Sequence, residues 1–88
     1  MLPTLGIDIS KQSFHVELSV NERLRHRKFS NLKAGFVELH DWLAKHKVAQ
    51  VHACLEATGA YSEALALYLH AQGHIVSVVN PAQIKSLW

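Results

Sequence analysis

The spacing of apolar and polar positions changes once along the chain, from a period of two to a period near 3.6. Thr4 to Ile9 is a short apolar run holding Gly6, which predicts a buried strand. Phe14, Val16, Leu18 and Val20 then alternate with His15, Glu17 and Ser19, the signature of a half-buried strand. Asn21-Glu22 predicts a tight turn into Arg23 to Phe29, a polar third strand expected at a sheet edge. The helical period starts after it. Leu32, Phe36, Leu39 and Leu43 predict a helix over residues 32–46, with Asn31 or Ser30 as its cap. Val51 to Leu55 reads as a compact apolar strand, and Ala60 to Gln72 as a second helix stopped at Gly73. Ile75 to Val79 reads as a fifth strand. Asn80-Pro81-Ala82-Gln83 has the cap, first-turn proline and capping-box glutamine of a third helix.

The predicted order is β-β-β-α-β-α-β-α, an α/β class. Three strands in a meander followed by right-handed crossovers give a mixed sheet, with the first strand expected beside the fourth. Residues 1–88 make one small domain or part of one. Because the chain reaches Trp88 just inside the third helix, it is expected to be a fragment truncated after the fifth strand.

Composition narrows the class without naming a function. The chain is 49% hydrophobic and 18% charged, with no apolar run long enough to span a membrane, so a soluble, cytoplasmic protein is expected. Cys54 is the single cysteine, which excludes an internal disulfide and suits a reducing compartment. A net charge of +2 permits nucleic-acid contact without arguing for it.

Two acids stand at strand ends. Asp8 lies in Gly6-Ile7-Asp8-Ile9-Ser10, and Glu56 closes the fourth strand in Leu55-Glu56-Ala57-Thr58-Gly59. An acid in a buried strand is costly unless it is paired or binds a cation. On neighbouring strands, about 4.8 Å apart, the two carboxylates would repel unless they shared a hard cation. Taken singly, Asp8 reads as a turn cap and Glu56 as an acceptor for the following helix. As a pair they point to a metal site at the carboxyl ends of strands.

Gly6-Ile7-Asp8-Ile9-Ser10-Lys11, Glu56-Ala57-Thr58-Gly59-Ala60-Tyr61 and Val79-Asn80-Pro81 with Ile84-Lys85 resemble the amino-terminal part of the DEDD transposases of bacterial insertion sequences, the Piv invertase group. The second and third stretches together carry most of the specificity. The resemblance implies an RNase H/RuvC-like nuclease domain, with Asp8 and Glu56 as the first two acids of a metal-binding, catalytic tetrad. The family's last two acids form an Asp-x-x-Asp pair on a later helix that this sequence does not reach. The implied chemistry is phosphodiester cleavage and strand transfer on DNA, assisted by Mg²⁺ or Mn²⁺. With half the ligands absent, the chain alone is expected to bind metal weakly and to be inactive. The family also implies a structured guide RNA as a partner.

Other features are weaker. Arg23, Arg25 and Arg27 alternate along the third strand, with His26 and Lys28 between them; such a stripe grips phosphates or merely protects a sheet edge. Lys11 and Lys85 match family positions and are further nucleic-acid candidates, although solvated lysines are the plainer reading. The seven histidines lack the spacing and cysteine partners of a zinc site. Cys54 is expected as a buried small hydrophobe, and Trp42, Tyr61 and Tyr68 as core or rim. Exposed apolar surface on the truncated fragment would favour a homo-oligomer.

Two rival readings of other classes stand beside the nuclease. An ATP-binding phosphotransferase of the actin and sugar-kinase type shares the topology, but its first loop needs glycine soon after the acid. Here Ile9, Ser10, Lys11 and Gln12 follow Asp8. A non-catalytic nucleic-acid-binding module is the other.

Overall fold

The computed structural model describes residues 2–56 and 59–79. Five strands form one mixed sheet in the order β3-β2-β1-β4-β5. They are β1 (Thr4–Ile9), β2 (Ser13–Val20), β3 (Arg23–Ser30), β4 (His52–Glu56) and β5 (Ile75–Val79). The first three pair antiparallel as a meander, and β4 lies parallel to both β1 and β5. Helix α1 (Lys33–Lys45) connects β3 to β4, and α2 (Glu63–Ala71) connects β4 to β5. This is the arrangement that the RNase H/RuvC resemblance implies, with β1 beside β4. The expected third helix lies outside the described residues.

The strand alternation decides which face is buried. Leu5 and Ile7 of β1, Phe14, Val16 and Leu18 of β2, and Ala53 and Leu55 of β4 turn toward Phe36, Leu39, Leu43, Leu65 and Leu69 of the helices. Full burial of each large apolar side chain contributes about 1.5–3 kcal/mol relative to exposure. An aromatic chain closes the β3 side, with Phe14 stacked on Phe29 at 5.5 Å and Phe29 edge-on to Trp42 at 5.9 Å.

The opposite sheet face is open, and this corrects two expectations. The sequence predicts a fully buried β1, but only alternate residues are covered, and Gly6 and Asp8 are exposed. Cys54, predicted to be buried, is exposed on the same face. Among the described residues no element covers that side. The face is mostly polar; Leu24 and Ile75, at its corners, are its large exposed apolar groups.

Local chemistry explains the element boundaries. Asn21 and Glu22 both have positive φ, 50° and 67°, as a two-residue type I′ hairpin turn requires. Helix α1 begins without a side-chain cap: its N-cap is the extended Leu32, where the sequence predicts Asn31 or Ser30. The Asn31 amide is engaged instead with the Ser10 and Tyr61 carbonyls. The segment before α2 is also tighter than predicted, a 3₁₀ turn over Gly59–Ser62, so the α-helix starts at Glu63. Gly73 has φ +91°. Its N–H bonds to the carbonyl of His70, and the His74 N–H reaches Leu69, the paired closure of a left-handed helix end.

Candidate active site

Strand register brings the two acids together. Ile7 of β1 pairs with Leu55 of β4, so Asp8 and Glu56 stand at the next position on adjacent parallel strands. Neighbouring strands are roughly 4.8 Å apart. Both side chains are exposed on the open face. Asp8 is therefore not a buried acid that requires a cation to survive. Proximity to Glu56, rather than burial, is what favours a shared positive charge.

The same level of the sheet holds further polar groups. Asp8 pairs with His15 of β2, and His15 pairs with Lys28 of β3. On the other flank Glu56 pairs with Val79. The row across the open face thus reads Lys28, His15, Asp8, Glu56, Val79. The sequence assigns no role to His15 or to Lys28 beyond its place in the basic stripe. The alternation of β2 and a meander register were the signals that put His15 opposite Asp8. Farther along the same face, His52 Nε2 lies 2.7 Å from the Ser77 hydroxyl, a diagonal pair that links β4 to β5.

The loops around the acids are tied together by Asn31. Its side-chain amide donates to the carbonyl of Ser10 at 3.1 Å and to that of Tyr61 at 3.0 Å. Its backbone N–H donates to Gln12 at 2.9 Å. Two carbonyl acceptors suit only the NH₂ end of the side chain. Ser10 follows Asp8 by two residues and Tyr61 follows Glu56 by five, so one side chain joins the segments leaving both acid-bearing strands. Ser10 closes its own loop through Oγ to the Ser13 carbonyl at 2.9 Å. This use of Asn31 removes it from the capping position.

The two carboxylates fit part of a site for a hard divalent cation, since Mg²⁺ takes oxygen ligands and is commonly held by one or two carboxylates with water. Among the described residues there is no group of three or more His, Cys, Asp or Glu arranged to hold a metal.

The other candidates lie apart. Arg23, Arg25 and Arg27 pair with Val20, Leu18 and Val16, which puts them on the helix side of edge strand β3, opposite the face of the acids. Lys11 is exposed in the loop between β1 and β2, near the acid end. Lys85 lies outside the described residues. Tyr61 is exposed rather than core, whereas Trp42 is buried and Tyr68 packs on Phe36 at 5.5 Å. His74 is buried and accepts the Val51 N–H at Nδ1, 3.1 Å away, as a core histidine. No helix among the described residues is long and apolar enough to cross a membrane.

The family model for DEDD transposases of the IS110 type, described as Transposase, matches residues 5–87. The chain is 38% identical over 84 residues to the pilin gene-inverting protein of Moraxella lacunata and 37% identical to that of Moraxella bovis. These alignments cover 93% of the chain but 26% of each relative, so the chain spans about a quarter of their length. Among solved structures, a fowlpox virus resolvase in complex with Holliday junction DNA superposes with a TM-score of 0.59 at 13% identity, covering 91% of this chain and 61% of that one. An exopolyphosphatase from Cytophaga hutchinsonii superposes at 0.52 with 18% identity, over 97% of this chain and 36% of that one. At such identities these two show a shared fold and nothing about chemistry. The family match and the Moraxella relatives go further: with Asp8 and Glu56 on adjacent strand ends, the chain belongs to the DEDD transposase family.

Proposed function

We propose that this chain supplies the first two acids of a metal-dependent DNA transposase, which cuts and transfers phosphodiester strands. The observation that carries the reading is the register that puts Asp8 and Glu56 side by side at the carboxyl ends of β1 and β4. A bound divalent cation would supply charge neutralisation at the phosphate and activation of the attacking oxygen. The chain's own residues hold and orient that site. Asp8 and Glu56 offer oxygen donors, and Asn31 fixes the segments that follow them. Lys28 and Lys11 stand on the open face or at its acid end as cations for a DNA backbone.

Two carboxylates without further ligands hold a cation weakly, so the 88-residue chain by itself is catalytically inactive in this reading. DNA is the substrate class. The Moraxella relatives, whose name is that of gene-inverting proteins, support that reading. A structured RNA partner rests on family resemblance.

The test uses the whole transposase that carries this segment. Asp8→Asn and Glu56→Gln should each abolish Mg²⁺-dependent strand cleavage while leaving DNA binding in place. Cleavage that persists in both variants would overturn the assignment.

A further inference from the structure

The helix side of β3 carries a second polar feature that the acid pair does not use. Arg23, Arg25 and Arg27 are exposed there, although their partners Val20, Leu18 and Val16 turn toward the core. At the far end of the sheet from Asp8, Val20, Asn21, Arg23, Arg25 and His46 line a notch of about 330 Å³. His46 follows the last turn of α1 and packs edge-on against Trp42 at 5.2 Å. Arg27 continues the row, its guanidinium 5.0 Å from the centre of the Phe29 ring.

We infer that this notch and the arginine row beside it bind the phosphodiester backbone of a nucleic acid, on the sheet face opposite the acid pair. The inference rests on the reading of the protein as one that acts on DNA. No carboxylate lines the notch, and its charged lining is cationic. Alternate residues of a strand are roughly 6.8 Å apart, a separation of the same order as that of consecutive phosphates along a nucleic-acid strand. Guanidinium groups suit such a row because each forms two parallel bonds to phosphate oxygens. Stacking of Arg27 on Phe29 restricts that side chain before any ligand arrives. Partial burial, with Arg25 and Lys45 nearby, holds the His46 pKa below its ordinary range, and a phosphate in the notch would relieve that crowding. Simple protection of a sheet edge requires charge but no concavity and no second element. Here His46, the residue that closes α1, joins the lining.

The experiment is an anisotropy titration of the 88-residue chain into a fluorescein-labelled DNA duplex and, in parallel, an RNA stem-loop, across a salt series. For whichever nucleic acid binds, Arg23→Ala/Arg25→Ala should weaken affinity uniformly across sequences. It should also lower the slope of log affinity against log salt by about 2, one for each arginine. Arg23→Lys/Arg25→Lys should keep most of the slope while losing part of the affinity. An effect confined to the duplex or to the stem-loop identifies the source of the backbone, and either supports the inference. Both arginines are exposed, so circular dichroism should show the variants folded. Wild-type binding with an unchanged slope in the alanine variant overturns the notch and leaves the DNA reading standing. A wild-type chain that binds neither probe overturns the inference, while the DNA reading stands or falls on strand cleavage by the whole transposase.

Discussion

The side-chain amide of Asn31 donates to the Tyr61 carbonyl at 3.0 Å, across thirty residues of sequence. With its second bond to Ser10, it makes the two acid-bearing strand ends depend on one side chain. Asn31→Ala removes both bonds and Asn31→Asp removes the donors while adding charge. Each lost bond is worth about 0.5–1.5 kcal/mol. Amide hydrogen exchange should accelerate in residues 10–13 and 59–62 in both variants, more than in the buried β2. Unchanged exchange at those segments would show that Asn31 holds nothing in place.

Gly35 separates two effects of opposite sign. In an exposed helix, alanine would be favoured over glycine by about 1 kcal/mol. Here a Cβ would fall inside contact distance of the Ser30 carbonyl oxygen, where α1 crosses the end of β3. The clash is with backbone and has no flexible side chain to absorb it. Gly35→Ala should therefore destabilise the chain by about 1–3 kcal/mol, read from the urea midpoint. A stabilised variant would contradict this packing.

The hairpin turn has room for improvement. Glu22 sits at φ 67°, a conformation that costs a side chain about 1–2 kcal/mol, while glycine adopts it freely. After allowing for the greater freedom of glycine in the unfolded chain, Glu22→Gly should add about 0.5–1 kcal/mol. Thermal melting should rise accordingly, and a fall would argue against a type I′ turn.

His74 gives a pH dependence whose sign follows from its hydrogen bond. Nδ1 accepts the Val51 N–H, so protonation would set two donors against each other in a buried site. Burial first, and then the neighbouring His40, lower the His74 pKa from 6.5. The unfolded chain then binds the proton before the folded one does. Stability is full above pH 6.5 and declines as pH falls from there through the lowered folded-state value, by at most about 1.4 kcal/mol per pH unit. The lowered His46 acts in the same direction. His74→Asn keeps an acceptor near Nδ1 without an ionisable ring, so its urea midpoint should depend less on pH between about pH 5 and 7. An equally steep dependence in the variant would assign the effect to another group.

Periodicity carried most of the fold. The alternation of β2, the spacing of Phe36, Leu39 and Leu43, and Gly73 as a helix stop all translate into the observed elements. The adjacency of Asp8 and Glu56 was legible because both stand near the ends of apolar strands and the crossover rule puts β1 beside β4. What escaped the sequence was face. An apolar run around Asp8 reads as buried on both sides, whereas one side is open among the described residues, and Cys54 is exposed with it. The arginine stripe was visible as a pattern. Its placement opposite the acids depends on the β2–β3 register, which a two-residue turn fixes and composition does not. Asn31 was misread for a related reason. A cap is a local contact, while its actual partners are 21 and 30 residues away.

If Asp8 and Glu56 form one cation site, Mn²⁺ titration of the ¹⁵N-labelled chain will show it. The paramagnetic ion broadens resonances near wherever it binds. A shared site gives broadening centred on both Asp8 and Glu56, reaching His15, and lost from both positions in Asp8→Asn. Broadening centred on the exposed histidines with neither acid affected, or broadening at Glu56 that survives Asp8→Asn unchanged, would contradict a shared site.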